Sequence, residues 1–126
     1  MANANRVGPR YLSTPMKFLV AIHHPDGYDG SKEPASMGQA IDDLNDEMVA
    51  AGARVFVGGL HPAENAKSLS LSAAGEVELR EGPYLPTMEH VGGFWVLECD
   101  SLDEALVWGK KAVKACRANV EVRQFH

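Results

Sequence analysis

The chain has 126 residues, of which 45% are hydrophobic and 23% charged, which is the composition of an ordinary globular domain. Its 17 acidic and 12 basic side chains give a formal net charge of −5, so nothing attracts it generally to phosphate backbones or anionic lipids. We therefore predict a single domain that binds neither nucleic acid nor membranes.

The start of the chain is polar. Residues 1–15 lack a hydrophobic period and the apolar core of a signal peptide, and no apolar run approaches the ~20 residues that span a bilayer. We expect a cytoplasmic protein with an extended N-terminal arm over 1–15 and one folded domain over 16–126. Cys99 and Cys116 form no metal-type cluster, and we interpret them as buried thiols.

The first predicted elements are a strand and a helix. Residues 17–22 are almost continuously apolar, which predicts a strand buried on both faces. Turn and breaker residues over 24–34 predict a loop. Ser36 and Gln39 then have the spacing of a capping box, and apolar residues recur at helical spacing as far as Gly52.

The rest of the chain is predicted to be mostly strands. An apolar run at 55–60 contains two glycines, which predicts a strand that bends or ends there. Alternation at 68–71 and 77–79 predicts a hairpin. The remaining predicted elements are a strand at 94–99, a helix that opens with the capping box of Ser101 and Glu104, and a final strand at 119–125.

This element order is close to the split βαβ pattern of ferredoxin-like α+β domains with an antiparallel sheet and an added hairpin. Two helices can cover only one face of such a sheet. Because the strands at 17–22 and 94–99 are apolar on both faces, the second face is expected to pack on another subunit, most simply in a symmetric homodimer. The alternative is a monomer in which residues 1–15 cover that face.

Several motifs, in order and in register from about Met16 to Phe125, resemble the YCII-related family and its DGPF-domain branch. They are Met16-Lys17-Phe18-Leu19, Gly58-Gly59-Leu60-His61-Pro62, Glu81-Gly82-Pro83-Tyr84, the stretch Thr87, Glu89, Gly92, Gly93 and Phe94, Leu102-Asp103-Glu104-Ala105, and Val120-Glu121-Val122-Arg123. The resemblance implies a bacterial protein with a ferredoxin-like fold of the dimeric α+β barrel type.

The resemblance also guides expectations about activity. The wider superfamily includes small-molecule isomerases, monooxygenases and dehalogenases, and a His–Asp enzyme-like site has been proposed for a YCII relative. Met88 stands where many members carry a lysine, and His90 where a neutral polar residue is common. A role that depends on that lysine does not carry over to this chain.

Histidines are the first candidates for acid–base chemistry, since an imidazole titrates near neutrality. His61 follows two glycines and precedes a proline, and is the leading candidate, with structural capping of the turn as the alternative. His23 and His24 end the first strand, where only one of them can point to a given face. His90 lies beside Glu89, but neighbours in an extended segment point apart, so loop solvation is favoured.

Carboxylates and aromatic side chains complete the candidate set. Glu98 should lie on an apolar face of its strand. There it is either a functional carboxylate or the partner of Arg123 in a structural ion pair. Glu81 begins the signature turn, where it is expected to bond nearby backbone N–H groups. Pro83 fixes that turn. Tyr84 and Trp95 suit either a pocket wall or an interface.

Two functions remain open. The first is a small-molecule-binding protein or cofactor-independent acid–base enzyme, isomerase-like or lyase-like, with a pocket near the 81–91 loop; no metal or cofactor motif is present. His61, His23 or His24 would act as acid or base, and Glu98 or Glu81 would orient the imidazole. The second is a non-catalytic dimeric interaction or regulatory module, since some DGPF relatives are associated with sigma factors.

Overall fold

The computed structural model describes residues 15–126. The predicted arm at 1–15 lies outside this range except for its last residue. The strands and helices, in chain order, are β1 (Met16–Pro25), α1 (Ala35–Ala50), β2 (Arg54–Gly59), β3 (Lys67–Leu71), β4 (Val77–Glu81), β5 (Glu89–Cys99), α2 (Leu102–Cys116) and β6 (Asn119–Gln124). Short 3-10 turns cover Gly30–Lys32 and Ala63–Asn65.

Four strands form an antiparallel sheet in the order β2-β5-β1-β6. β1 and β5, which are far apart in the sequence, lie at its centre. Helix α1 connects β1 to β2, and helix α2 connects β5 to β6. This arrangement confirms the ferredoxin-like α+β fold. β3 and β4 pair only with each other, as a separate two-stranded sheet inserted between β2 and β5.

The core lies between the four-stranded sheet and the two helices. Alternate residues of the central strands point into it, including Phe18, Val20 and Leu97, all fully buried. Helix α2 contributes Trp108, which is buried, whereas Leu102, Leu106 and Val113 of the same helix are exposed to 50%, 40% and 42%. No helix within residues 15–126 is long and apolar enough to cross a membrane.

The opposite face of the sheet carries a second apolar surface, which we call the open face: Leu19, Ala21, Phe56, Phe94 and Val96. Cross-strand pairing places these residues on one side, with Leu19 opposite Val96, Ala21 opposite Phe94, and Phe56 opposite Val96. The Phe56 and Phe94 rings are 5.8 Å apart. β1 and β5 therefore carry apolar residues on both sides, as predicted. Neither α1 nor α2 covers this second face.

The two predicted capping boxes have different outcomes. Ser101 caps α2, because its hydroxyl accepts the Glu104 backbone N–H at 3.1 Å, and the Glu104 carboxylate accepts the Asp100 N–H at 2.9 Å. The prediction of a capping box at Ser36 was wrong. Helix α1 begins at Ala35, two residues before the start that a Ser36 cap predicts, and its N-cap is Pro34; Gln39 donates to Asp43 instead. Proline at the cap fixes an extended backbone without needing a side-chain bond.

β5 begins five residues before the predicted strand, because Gly92 and Gly93 do not interrupt it. Ile22 pairs with Gly93 and His23 with Val91, so Gly92 is the extra residue of a β-bulge. A Cβ atom added at Gly92 would lie 2.1 Å from Cδ2 of His24. The bulge therefore needs a residue without a side chain, since the His24 ring occupies that space.

We expect Gly92→Ala to lower the free energy of unfolding by ~1–3 kcal/mol, because the added methyl overpacks this site. Urea denaturation of Gly92→Ala, His24→Ala and the double variant forms a thermodynamic cycle. The cost of Gly92→Ala should shrink in the His24→Ala background. An equal cost in both backgrounds would show that the His24 ring is not the obstacle.

Candidate functional site

A pocket of about 400 Å³ lies at the end of the sheet, beside the base of the β3–β4 hairpin. Its lining residues are Leu60, His61, Pro62, Ala63, Asn65, Ala66, Pro83, Tyr84, His90 and Val91. Three segments supply them: the chain entering the hairpin, the chain leaving it, and the start of β5. The pocket thus contains His61, Pro83, Tyr84 and His90 of the predicted set. None of the described residues that line it is acidic.

His90 holds this end of the sheet together through both ring nitrogens. Its Nδ1 lies 2.9 Å from Oδ1 of Asp26, and its Nε2 lies 3.1 Å from the Leu85 carbonyl oxygen. The Thr87 hydroxyl is 3.2 Å from the same Nε2 and donates to the Glu89 carbonyl at 2.9 Å. The prediction of a solvated loop histidine was wrong: His90 lies within β5, and its side chain is only 19% exposed.

The strand register explains how Asp26 reaches His90. His24 pairs with His90 and Pro25 with Glu89, so the residue that follows β1 lies beside the start of β5. The Asp26 N–H donates to the Met88 carbonyl at 2.9 Å, which fixes the backbone there. The sequence places Glu89 next to His90 but does not indicate Asp26, because Asp26 and His90 are 64 positions apart.

These contacts favour the charged imidazole. The carboxylate and the backbone carbonyl are both acceptors, and only an imidazolium can donate from both ring nitrogens. The Leu85 carbonyl, and after it the Asp26 carboxylate, raise the pKa of His90 above its ordinary value, although partial burial opposes them. At a given pH near neutrality, a larger fraction of His90 than of an ordinary histidine is therefore protonated.

His24 lies next to His90 but in a different environment. Its ring stacks on Tyr28 with centroids 3.9 Å apart and planes nearly parallel. Burial lowers the pKa of His24, against the opposing influence of Glu33 and Glu89. Its Nδ1 and the Tyr28 hydroxyl are buried without a hydrogen-bond partner among the described residues. The two adjacent imidazoles thus have pKa values displaced in opposite directions.

The candidate carboxylates lie elsewhere. Glu98 is on the same face of β5 as Val96, as expected, and it forms an ion pair with Lys17, at 3.7 Å. The predicted partner, Arg123, lies on the far side of β1, two strand spacings or ~10 Å from β5. Glu98 is also eight residues along β5 from His90, about 27 Å in an extended strand.

The remaining candidates have structural contacts. Glu81 pairs with Lys67 across the hairpin rather than with backbone N–H groups, and both oxygens of Glu89 accept from the Asn119 amide at 3.2 Å. Trp95 is in the core, where its Nε1 donates to Asn45 at 2.9 Å, and it is not among the residues that line this pocket. His23 pairs with Val91 and Asn119, on the side of the sheet opposite His24.

The cysteines are buried, as predicted. Burial, with a smaller contribution from Glu33, raises the pKa of Cys116 to about 11. A thiol with so high a pKa is almost entirely protonated at neutral pH and is a poor nucleophile.

Comparison with known proteins gives a family match and a partial relative. The family model of the YCII-related domain matches residues 16–126 of this chain. An uncharacterized protein of Rhizobium meliloti (strain 1021) is 43% identical over 58 residues. That match spans 46% of this chain and 46% of the length of the relative.

We expect the His90 contacts to stabilise the protein at low pH and to weaken as the pH rises. Because the folded-state pKa lies above the ordinary value of 6.5, the contribution is complete below the unfolded pKa and is lost as the pH passes through the folded pKa. The difference in unfolding free energy between wild type and His90→Gln should therefore be larger at acidic than at alkaline pH.

Urea denaturation at several pH values checks this sign, and an NMR titration gives the pKa of His90 directly. Asp26→Asn is the matched variant, since it keeps the size of the side chain but removes its charge. It should lower the pKa of His90. A pKa at or below the ordinary histidine value in the wild-type protein would contradict the protonation state described above.

Proposed function

This chain belongs to the YCII-related domain family, and we propose that it binds a small molecule in the pocket between the hairpin base and β5, with His90 and Asp26 as an acid–base pair. The supporting observation is the hydrogen bond of 2.9 Å between the His90 imidazole at the pocket wall and the Asp26 carboxylate behind it. An imidazole that is oriented by a carboxylate, with its pKa raised, is suited to general acid catalysis.

The lining indicates the kind of ligand. Most of its lining residues are apolar, such as Leu60, Pro83 and Val91, and the lining residues with polar side chains are His61, Asn65, Tyr84 and His90. With no acidic side chain among its described lining residues and with the pKa of His90 raised, the pocket suits an apolar body with an anionic head, such as a small carboxylate or an enolate.

The same pair would serve a proton transfer. His90 would donate the Nε2 proton, now shared with the Leu85 carbonyl and Thr87, to an oxygen of the ligand, and Asp26 would hold the Nδ1 proton in place. His61, on the same pocket, has no described partner that fixes its ring and is the second candidate. Isomerisation or a lyase step without a cofactor fits this chemistry, and Glu98 and Glu81 take no part in it.

A second candidate, a dimeric interaction module of the DGPF branch, is favoured by the open face. Phe56 is 54% exposed there, beside Phe94 and Val96, and no helix of the described residues covers them. Burial of this surface against a second copy would close the two sheets face to face. The dimer and the ligand pocket are compatible, since the pocket lies at the end of the sheet.

Binding is tested with a matched pair of probes, benzoate and benzamide, which share an apolar ring and differ in the charge of the head group. We expect benzoate to shift the amide NMR signals of Leu60 and Val91 and to bind at least severalfold more tightly than benzamide below the pKa of His90. The preference should decline as the pH rises through that pKa, and His90→Gln should remove it.

A control variant checks the binding result, and a separate assay tests for turnover. Glu81→Gln, outside the pocket lining, should leave the preference unchanged, whereas an equal affinity for both probes would overturn the proposed ligand class. Turnover is tested by deuterium incorporation from solvent into short 2-oxo acids, followed by NMR. Exchange that is lost in both His90→Gln and Asp26→Asn supports an enzyme; binding without exchange leaves a binding protein.

The dimer is tested by sedimentation velocity over a range of concentrations. Phe56→Ser should weaken self-association by about tenfold or more, as expected for loss of a large apolar contact. Val49→Ser is the control, because Val49 has the same exposed fraction, 54%, but lies on helix α1. A wild-type protein that stays monomeric at all concentrations would exclude the dimer and favour coverage of the open face by residues 1–15.

A further inference from the structure

The β3–β4 hairpin carries an apolar stripe that nothing in the described chain covers. Leu69 lies directly opposite Leu79, and Leu71 directly opposite Val77, so all four side chains share one face. Their exposed fractions are 66%, 64%, 73% and 70%. The other face is polar, with Ser68 opposite Arg80 and Ser70 opposite Glu78. The hairpin is therefore amphipathic, with its apolar side in solvent.

The hairpin is well formed but attached to the body at one end. The Gly82 N–H donates to the Ala66 carbonyl at 2.7 Å, and the Ser68 hydroxyl to the Gly82 carbonyl at 2.6 Å. At the tip, the Ser72 N–H donates to the Glu76 carbonyl at 2.8 Å, and Gly75 has a φ of +85°. Between base and tip, no residue except Ser68 is buried.

Such a stripe needs a partner for a physical reason. A two-stranded hairpin is at best marginally stable in water without packing on one of its faces. Contiguous exposed apolar side chains on an otherwise ordinary surface mark an interaction site. The next segment of chain also exposes Leu85 to 55% and Met88 to 83%, so the apolar surface continues along the sequence towards the pocket.

We propose that the apolar stripe of the hairpin packs on a second copy of this chain, as an arm that extends the dimer formed through the open face. The proposal rests on that dimer and adds the hairpin to it. A stable interface buries about 800 Å² on each partner. On the open face, Phe56 is 54% exposed, but Ala21 is already 98% hidden and Leu19, Phe94 and Val96 are half-buried, so four of its five side chains have limited area left to bury.

The stripe supplies what the open face lacks. Its four side chains each expose about two thirds of their surface, and their burial would add substantial apolar contact. Its charges also suit a copy of itself: the Lys67–Glu81 pair, which lies on the same face of the hairpin as the stripe, carries one charge of each sign. A symmetric interface needs such a self-compatible surface, whereas a strongly charged partner would need a surface of one sign.

Packing of the hairpin would affect the pocket, because the residues that join the hairpin to the body also line the pocket. Ala63, Asn65 and Ala66 enter the hairpin, Pro83 and Tyr84 leave it, and all five line the pocket. A hairpin held by the second copy would hold these two segments at a fixed separation. The ligand pocket would then be best ordered in the dimer.

The test uses the full chain with two double variants. L69S/L79S replaces one directly opposed pair of the stripe with polar residues, and S70A/E78Q alters the neighbouring pair on the other face. We expect L69S/L79S to raise the dissociation constant of the dimer about tenfold or more in sedimentation velocity, and S70A/E78Q to leave it within about twofold. Circular dichroism checks that both variants are folded.

Hydrogen exchange of the wild-type protein gives a result that needs no variant. Amides of residues 67–81 should exchange more slowly as the protein concentration rises through the dissociation constant. If the wild type dimerises, Phe56→Ser weakens the dimer, and both hairpin measurements show no change, then the arm is disproved while the open-face dimer stands. A wild type that is monomeric throughout disproves both.

Discussion

The antiparallel pairing of β1 with β5 is the constraint on which the rest of the molecule depends. It places the two most apolar strands at the centre of the sheet, so that one face forms the core with the helices and the other remains an apolar surface. It also brings residues that are more than 60 positions apart to one end of the sheet. The Asp26–His90 contact exists only because His24 and His90 are in register.

The bulge at Gly92 adjusts that register where it matters most. One extra residue in β5 shifts the pairing by one position, so that His90 comes to the same side as His24 and next to Asp26. Without the shift, alternation would point His90 to the opposite side of the sheet. The His24 ring fills the space left by the missing side chain, and its stacking on Tyr28 connects β1 to the loop that follows it.

The two ends of the sheet have separate physical characters. At one end, His90 is held between a carboxylate and a carbonyl, and a pocket opens between β5 and the hairpin base. At the other end, Lys17 and Glu98 form an ion pair on the border of the open face. The proposed acid–base chemistry would use the pocket at one end of the sheet, and the proposed self-association would use the open face and the hairpin. The hairpin is common to both, because its base borders the pocket.

The sequence by itself determined the fold class, since hydrophobic period and turn residues define six strands and two helices in a ferredoxin-like order. It also placed Glu98 on an apolar face and put His61, Pro83 and Tyr84 in the region where a pocket is found. These features follow from local rules: alternation in strands, helical spacing, and the backbone preferences of Gly and Pro.

Only the tertiary structure decided which side chains meet. The partner of His90 is Asp26 rather than the adjacent Glu89, the partner of Glu98 is Lys17 rather than Arg123, and Trp95 points into the core. Each of these depends on strand order and register, and the sequence pattern does not specify the bulge at Gly92 that sets the register. A one-residue shift exchanges the two faces of a strand, so contacts between distant residues cannot be read from spacing alone.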